Sequence, residues 1–341
     1  MDILRNVNLS NYSTMGLGGQ ASYLVNIETK QELIKALNFA NLNKLKTIMI
    51  GGGSNIIWRD EGFKGLVIVN GIRGFEIENE DDEGADILIG AGENWDSVVD
   101  KAVSLSLSGI ECLSLIPGSA GATPVQNVGA YGQEIAKSLV SLEAYDNKSE
   151  NFVTMLNEDC HFSYRSSCFK KNIGRYYIVS IRLHLGKTHI REPLYKTLSQ
   201  YLNDHKINDR SPNTIRQAVI NIRRSKLPDP KLVKNCGSFF KNPIVSNDKY
   251  MKLNDKYKNV PHWPSAKGQI KISAAWLIEN AGFSNYSDPI SGIAVWKNHP
   301  LVLVNERAKK TADLLDFKKI LIDSVKEKFD IKLDQEPILL P

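Results

Sequence analysis

Long hydrophobic runs are missing from this sequence. No stretch approaches the ~20 apolar residues that a membrane-spanning helix requires, so no membrane partner is expected. The N-terminal stretch from Met1 to Asn11 is polar and has no apolar signal-peptide core. Cysteine is scarce: Cys112, Cys160, Cys168 and Cys236 are the four, and no two have the C-x-x-C spacing. That speaks against a disulfide scaffold and for reduced thiols in a cytoplasmic protein. The six histidines form no H-E-x-x-H and no Cys/His cluster, so no metal site is expected. Internal repeats are absent. Charge of one sign is also lacking: 43 basic residues face 38 acidic ones, a formal net charge of +5 spread along the chain. Without a basic tail or a recognition motif, nucleic acid is not an expected partner. A mildly positive field does suit anionic ligands such as pyrophosphates.

What is present is ordinary globular material. Hydrophobic residues make up 42% and charged residues 24% of 341 positions, enough for two or three domains with real cores. Thr29 followed by Glu32 predicts a capped helix with Leu33, Ala36, Leu37 and Ala40 on one face. Apolar strands are expected at Thr47 to Ile50 and Gly65 to Val69. The acidic stretch Glu76 to Asp86 reads as an exposed hairpin or loop, followed by a strand to Gly90. Trp95, Val98, Val99, Ala102 and Val103 form a helical stripe. Tyr177, Val179, Ile181, Leu183 and Leu185 alternate with polar residues as a half-buried strand does. Ser211-Pro212 opens a helix with Ile215, Ala218, Val219 and Ile222 inward. Helices are further expected at Lys271 to Ala281, stopped by Gly282, and at Thr311 to Phe329. Ile293 to Trp296 and Leu301 to Val304 read as a strand pair. Strands outnumber crossover helices in the middle of the chain, which favours α+β over a doubly wound sheet.

Three glycine-rich segments invite a nucleotide. Gly16-Leu17-Gly18-Gly19-Gln20-Ala21 fits the dinucleotide fingerprint but follows polar Asn11 to Thr14 and precedes β-like Ser22 to Val25. The fingerprint needs a strand before and a helix after it, so a turn feeding a strand is the better reading. Gly51-Gly52-Gly53-Ser54-Asn55 does follow a strand. It lacks the Walker ending, and its amides can converge on an anion or simply make a hairpin turn. The run from Ile116 to Gly132 holds Pro117, Gly118, Ser119, Thr123, Gln126, Asn127, Val128 and Gly129 with almost no bulky apolar residue. A loop this long without periodicity is uncommon unless it binds something.

GGGSN followed by PGSAGATPVQNVGAYG resembles the FAD-binding fold of the vanillyl-alcohol oxidase (PCMH) type. Within that superfamily the chain is similar to the UDP-N-acetylenolpyruvoylglucosamine reductases, specifically the long-loop class. The resemblance extends from STMGLGGQA to Glu336. It implies an α+β protein with a two-part FAD-binding domain and a C-terminal α+β substrate-binding domain. The implied borders are 1–73 with the returning strand 335–341, then 74–215, then 216–334. It also implies non-covalent FAD clasped by the two loops and NADPH as co-substrate.

The same resemblance supplies candidate residues. Arg165, in Tyr164-Arg165-Ser166-Ser167-Cys168-Phe169-Lys170, matches a catalytic arginine. A fixed guanidinium can hold the charge that hydride addition builds on an enolpyruvyl carboxylate. Ser238, in GSFFKNP, matches the proton donor, a role a hydroxyl fills only with neighbouring help. Glu336 matches the catalytic glutamate, and acting on a carboxylate requires it to share a proton. On their own these three read as a surface arginine, a turn serine and a solvated terminal glutamate. Tyr164, Tyr195, Lys226 and Asn242 match substrate contacts, Tyr195 being the tyrosine that closes over the nucleotide. Two positions depart from the family pattern: Ile338 replaces an arginine and His299 replaces a glutamine, both at nucleotide contacts. The implied activity is reduction of UDP-N-acetylglucosamine enolpyruvate to UDP-N-acetylmuramate for peptidoglycan synthesis, and thereby cell shape and division, by a cytoplasmic monomer. A related FAD oxidoreductase with another substrate and a non-catalytic nucleotide-sugar-binding protein are the alternatives.

Overall fold

The computed structural model describes residues 1–188, 190 and 194–341. The fold is α+β, and the chain divides into two compact units. One comprises Met1–Val7, Ala21–Gly52 and Phe63–Arg224, the other Asn8–Gln20, Gly53–Gly62 and Ser225–Pro341.

Two main sheets build the first unit, and the core of the smaller one also takes in Tyr145, Tyr177 and Val179 from strands of the larger. In the smaller sheet, strands Gln20–Ile27 and Lys46–Ile50 flank Phe63–Asn70 in parallel, with Leu24 and Ile48 both opposite Val67. Parallel neighbours need a crossover, and helix Lys30–Leu42 supplies it. Its start is capped reciprocally: the Glu32 N–H donates to Thr29 Oγ1 at 3.1 Å, and the Glu28 N–H donates to Glu32 Oε2 at 2.7 Å. Leu33, Ala36, Leu37 and Ala40 then pack on Val25, Ile27, Leu66 and Ile68.

The larger sheet is antiparallel, in the order Asn151–Leu156, Leu139–Asp146, Tyr176–Gly186, Gly84–Gly90, Phe75–Glu80. The acidic stretch is therefore a hairpin, Phe75–Glu80 against Gly84–Gly90. Along Tyr176–Gly186, Ile181, Leu183 and Leu185 are fully buried. Outward-facing Arg182 and His184 pair with Glu78 and Asp86. Helix Trp95–Ser104 covers the inner face with Trp95, Val98, Val99 and Ala102.

The second unit collects chain from three places around one core that includes Met15, Leu17, Ile57, Phe239, Phe240, Leu277, Phe317 and Leu321. Strand Val302–Asn305 lies between Lys234–Ser238 and Ile293–Val295. The C-terminal strand Ile338–Leu340 runs parallel to Ile56–Trp58. Helix Thr311–Phe329 has no cap of its own at Lys310. Asp60 serves instead, accepting the Thr311 and Ala312 N–H groups at 2.7 and 2.9 Å.

Gly16 to Gly19 turns into strand Gln20–Ile27, with no helix after it. One expected helix is corrected. Ile270–Ile272 is a strand between Ile244–Val245 and His262–Pro264, and the helix starts only at Ala274. Ser273 sets that start, its Oγ accepting the Trp276 N–H at 3.2 Å. The helix then widens into a π turn over Glu279–Phe283, where Gly282 takes a φ of 98°. All four cysteines are buried free thiols. Among the described residues, no helix is long and apolar enough to cross a membrane.

Candidate active site

In the first unit two loops meet backbone to backbone. A Cβ on Gly52 would lie 3.1 Å from Gly118 Cα, and one on Gly51 would collide with Ser119 Oγ. A methyl at Gly52 would press on backbone, and one at Gly51 would have to displace the Ser119 hydroxyl. Gly118 also takes a φ of 124°, closed to other residues without strain. The Trp95 N–H donates to the Gly118 carbonyl at 3.0 Å, and the Ala120 N–H to that of Glu93 at 2.8 Å. Asp96 Oδ1 accepts the Leu115 N–H at 2.6 Å, fixing the residue before Ile116 at a φ of 57°. The start of helix Trp95–Ser104 thus frames the loop. Gly52 and Pro117 remain exposed, Gly51 and Gly118 half-exposed. This surface of peptide groups without side chains is what a dinucleotide pyrophosphate requires for close approach, so the residues fit FAD.

The second half of the long loop turns its side chains inward. Asn127 is 3% exposed in the left-handed conformation. Its amide nitrogen donates to Glu134 Oε2 at 3.0 Å, and its oxygen accepts the Ala136 N–H at 3.2 Å. Thr123 Oγ1 donates to the Ala120 carbonyl at 2.7 Å, and Val128 is buried. These three shape the loop; Gln126 and Gly129 are half-exposed.

Arg165 stands at the tip of a tight turn closed by reciprocal 3.0 Å bonds between Ser163 and Ser166. Its φ is 53°, an uncommon value for a side-chain-bearing residue. Its Nη2 donates to the Gly129 carbonyl at 2.8 Å. Ser167 Oγ donates to the Val125 carbonyl at 2.6 Å. The YRSS tip is therefore bonded to the long loop at Val125, Asn127 and Gly129, and Tyr164 lies beside the guanidinium. Tyr195, just before helix Lys196–Asp204, meets Tyr131 edge to face at 5.9 Å.

In the second unit, Ser238 ends strand Lys234–Ser238 opposite Val302. The Phe239 carbonyl accepts the Glu336 N–H at 2.9 Å, and the Asp334 carbonyl accepts the Lys241 N–H at 2.9 Å. Glu336 is thereby held next to the GSFFKNP strand and is only 8% exposed. Its charge, after burial itself, raises the Cys236 thiol above the usual range. Asn242 spends its oxygen on the Ala274 N–H at 2.9 Å. Lys226 is exposed, its carbonyl accepting the Trp296 indole N–H at 3.0 Å. Ile338 is half-buried, and its N–H donates to the Asn55 carbonyl at 3.0 Å. The His299 carbonyl accepts the Val302 N–H in the strand-pair turn.

Tyr131 carries no local sign, within its GAYG motif, of the contact with Tyr195, and the ion pair of Arg216 with Asp96 and Asp100 is equally hidden in the sequence. The partners of Arg216 lie more than a hundred residues away from it.

Comparison with known proteins adds an independent line. Residues 21–154 match an FAD binding domain, and residues 229–340 match the C-terminal domain of UDP-N-acetylenolpyruvoylglucosamine reductase. The UDP-N-acetylenolpyruvoylglucosamine reductase of Amoebophilus asiaticus is 37% identical over 337 residues, 98% of each chain. That of Polynucleobacter asymbioticus is 35% identical over 339 residues, 99% of this chain and 96% of its own. The crystal structure of the reductase from Thermus caldophilus shares the fold over the full length of both chains, with a TM-score of 0.67 at 24% identity. With the glycine cradle, the Arg165 turn and the Ser238 strand each in place, this end-to-end likeness settles kinship: the chain belongs to the UDP-N-acetylenolpyruvoylglucosamine reductase family.

Proposed function

We propose that the chain reduces the enolpyruvyl double bond of UDP-N-acetylglucosamine enolpyruvate with NADPH through FAD, yielding UDP-N-acetylmuramate for peptidoglycan synthesis. The observation that carries this reading is the family likeness over 98% of the chain, joined to the backbone bond from Glu336 to Phe239 that ties the Glu336 segment to the residue after Ser238. Bound FAD supplies two-electron chemistry between NADPH and the enolpyruvyl carbon, the two reactants using the site in turn.

The chain's own residues do the rest. Gly51 to Asn55 and Pro117 to Gly129 bind the dinucleotide through close backbone approach. Arg165, immobilised by the Gly129 carbonyl, holds the substrate carboxylate as negative charge grows on it. Ser238 delivers the proton to the carbon beside that carboxylate. Glu336, sharing a proton, orients the carboxylate and supports the developing enol. Lys226, Tyr164, Tyr195 and the NH2 end of Asn242 contact the UDP-sugar. With Ile338 in the C-terminal strand, the diphosphate relies on other cations. The reading carries with it the division into 1–73 with 335–341, 74–215 and 216–334, a cytoplasmic location, a monomeric state and roles in cell shape and division.

An absorbance spectrum tests it. Yellow protein that bleaches with NADPH and regains its colour anaerobically with the enolpyruvyl UDP-sugar is the expected result. Colourless protein that FAD cannot reconstitute would overturn the reading.

A further inference from the structure

The last carbonyls of a helix have no partner inside it, and Pro228 keeps Pro212–Lys226 from continuing. Two of these carbonyls are taken by side chains from a single turn about seventy residues on. The Trp296 indole N–H donates to the Lys226 carbonyl at 3.0 Å, and Asn298 Nδ2 donates to the Ser225 carbonyl at 3.2 Å. All four residues belong to the second unit. The turn is itself fixed by backbone. The His299 N–H donates to the Trp296 carbonyl at 3.1 Å, and the Trp296 N–H to the Val302 carbonyl at 2.8 Å, where strands Ile293–Val295 and Val302–Asn305 join. Leu227, Val233 and Trp296 pack together on Ala294, Val302 and Val304. The indole is therefore held by its N–H and by its apolar flank.

The same indole meets a second lysine. Lys297 Nζ stands 5.9 Å from the centre of the ring, within reach of cation–π attraction. One side chain thus ties down the backbone of Lys226 and steadies the ammonium of Lys297. Both lysines are exposed, and neither enters an ion pair among the described residues. Cation–π attraction is weak at an exposed site, so it steadies the ammonium without withholding it from a ligand. Two like charges gathered at one corner repel, and an anion that meets both reverses the sign. Lysine suits phosphate as a point charge, and a diphosphate offers one charged group to each of two lysines.

We propose that Lys297 is a second diphosphate-binding cation, set beside Lys226 by Trp296. This rests on the proposed function, in which Lys226 contacts the UDP-sugar and the diphosphate relies on cations outside the C-terminal strand. Two reactants carry that chemistry and use the site in turn, the UDP-sugar and NADPH.

The test uses full-length holoenzyme carrying Lys297→Met, Lys297→Arg, Trp296→Phe or Lys226→Met. Lys297→Met should keep its flavin and melt with wild type, because the side chain is exposed. The substrate arm compares binding of UDP-N-acetylglucosamine with that of uridine, which has no phosphate. The NADPH arm follows anaerobic bleaching of the flavin as a function of NADPH concentration. Losing one cation should weaken one arm on the order of tenfold, leave uridine unmoved, and be restored by Lys297→Arg. The arm that moves names the source. Trp296→Phe keeps the ring but not the N–H, so it should weaken the same arm about threefold and add nothing in a Lys226→Met background. Equal weakening of UDP-N-acetylglucosamine and uridine, loss of flavin, or two arms that move in Lys226→Met but not in Lys297→Met would overturn the proposal. Two arms unmoved in Lys226→Met as well would instead remove Lys226 from the substrate site. Wild-type holoenzyme that NADPH does not bleach would sink the reaction itself, whatever the variants do.

Discussion

The two units build their parts of the chemistry in opposite ways. The flavin loops of the first unit work by omission: Gly51, Gly52 and Gly118 leave peptide groups bare, while Asn127, Thr123 and Ser167 turn inward to hold the shape. The second unit works by presentation. Ser238 ends a strand whose next residues are tied to the Glu336 segment by backbone bonds. Binding a large cofactor needs many amides at close range, which a folded loop gives at little side-chain cost. Moving one proton needs one hydroxyl in one place, and a sheet position holds it more tightly than a loop does.

The largest expected effect breaks the second half of this contrast alone. Ser238→Ala removes the proposed proton donor and little packing, since the side chain is only half-buried. Turnover should fall by about 10²–10⁴-fold, the usual worth of a positioned general acid. Flavin content and anaerobic bleaching by NADPH should be unchanged. Rapid-mixing measurement of the two half-reactions checks this; slow reduction by NADPH would mean that Ser238 serves the cofactor as well.

Gly52→Ala attacks the first half. The new methyl would press on the Gly118 backbone at 3.1 Å, which cannot rotate aside as a side chain can. Overpacking of ~1–3 kcal/mol corresponds to roughly tenfold to a hundredfold weaker FAD binding, read by fluorescence of released flavin. Substrate turnover per bound flavin should stay near normal. Equal loss of both would erase the distinction between the units.

Much of this division was visible in the residues. The stripes at Leu33 to Ala40 and Trp95 to Val103, and the alternation along Tyr177 to Leu185, became the expected elements because local period and burial agree there. The glycine loops stood out by composition. Lys271 and Ile272 fell inside the expected helix because so short a stretch has no decisive period, and the Ser273 cap that ends the ambiguity comes after them. Glu336 near the C-terminus gave no sign of burial, since its backbone partner, Phe239, lies almost a hundred residues earlier. Likewise nothing near Lys310 announced that Asp60 would cap the last long helix. Contacts between distant segments are products of the whole fold, and spacing along the chain does not encode them.

Asn127 sharpens the account of the first unit at a smaller scale. Asn127→Ala deletes the bonds to Glu134 and Ala136 and leaves an alanine at a φ of 48°. Unsatisfied buried groups and left-handed strain together cost about 2–4 kcal/mol. The holoenzyme should melt lower and release FAD more easily. Asn127→Gly relieves the strain but not the lost bonds, so it should recover only about 1 kcal/mol in urea titration. Full recovery by glycine would mean that the side chain matters only for its conformation.

The smallest effect concerns acid. Burial works against ionisation of Asp96, but the hydrogen bonds from Arg216 and the Leu115 N–H outweigh it, so its carboxyl lies below the ordinary 3.8. A depressed acidic group stabilises the fold above its unfolded-state value, and that contribution disappears as pH falls through the lower folded value. The segment that frames the flavin loop should therefore weaken below about pH 4. Asp96→Asn should lose the contribution at every pH, giving a lower midpoint at neutrality and a shallower fall from about pH 4 to 3. Thermal melts of the holoenzyme across that range decide it. If the variant and wild type keep parallel slopes, the acid sensitivity of the flavin loop arises elsewhere, and Arg216 is left with Asp100 as the partner that holds its helix.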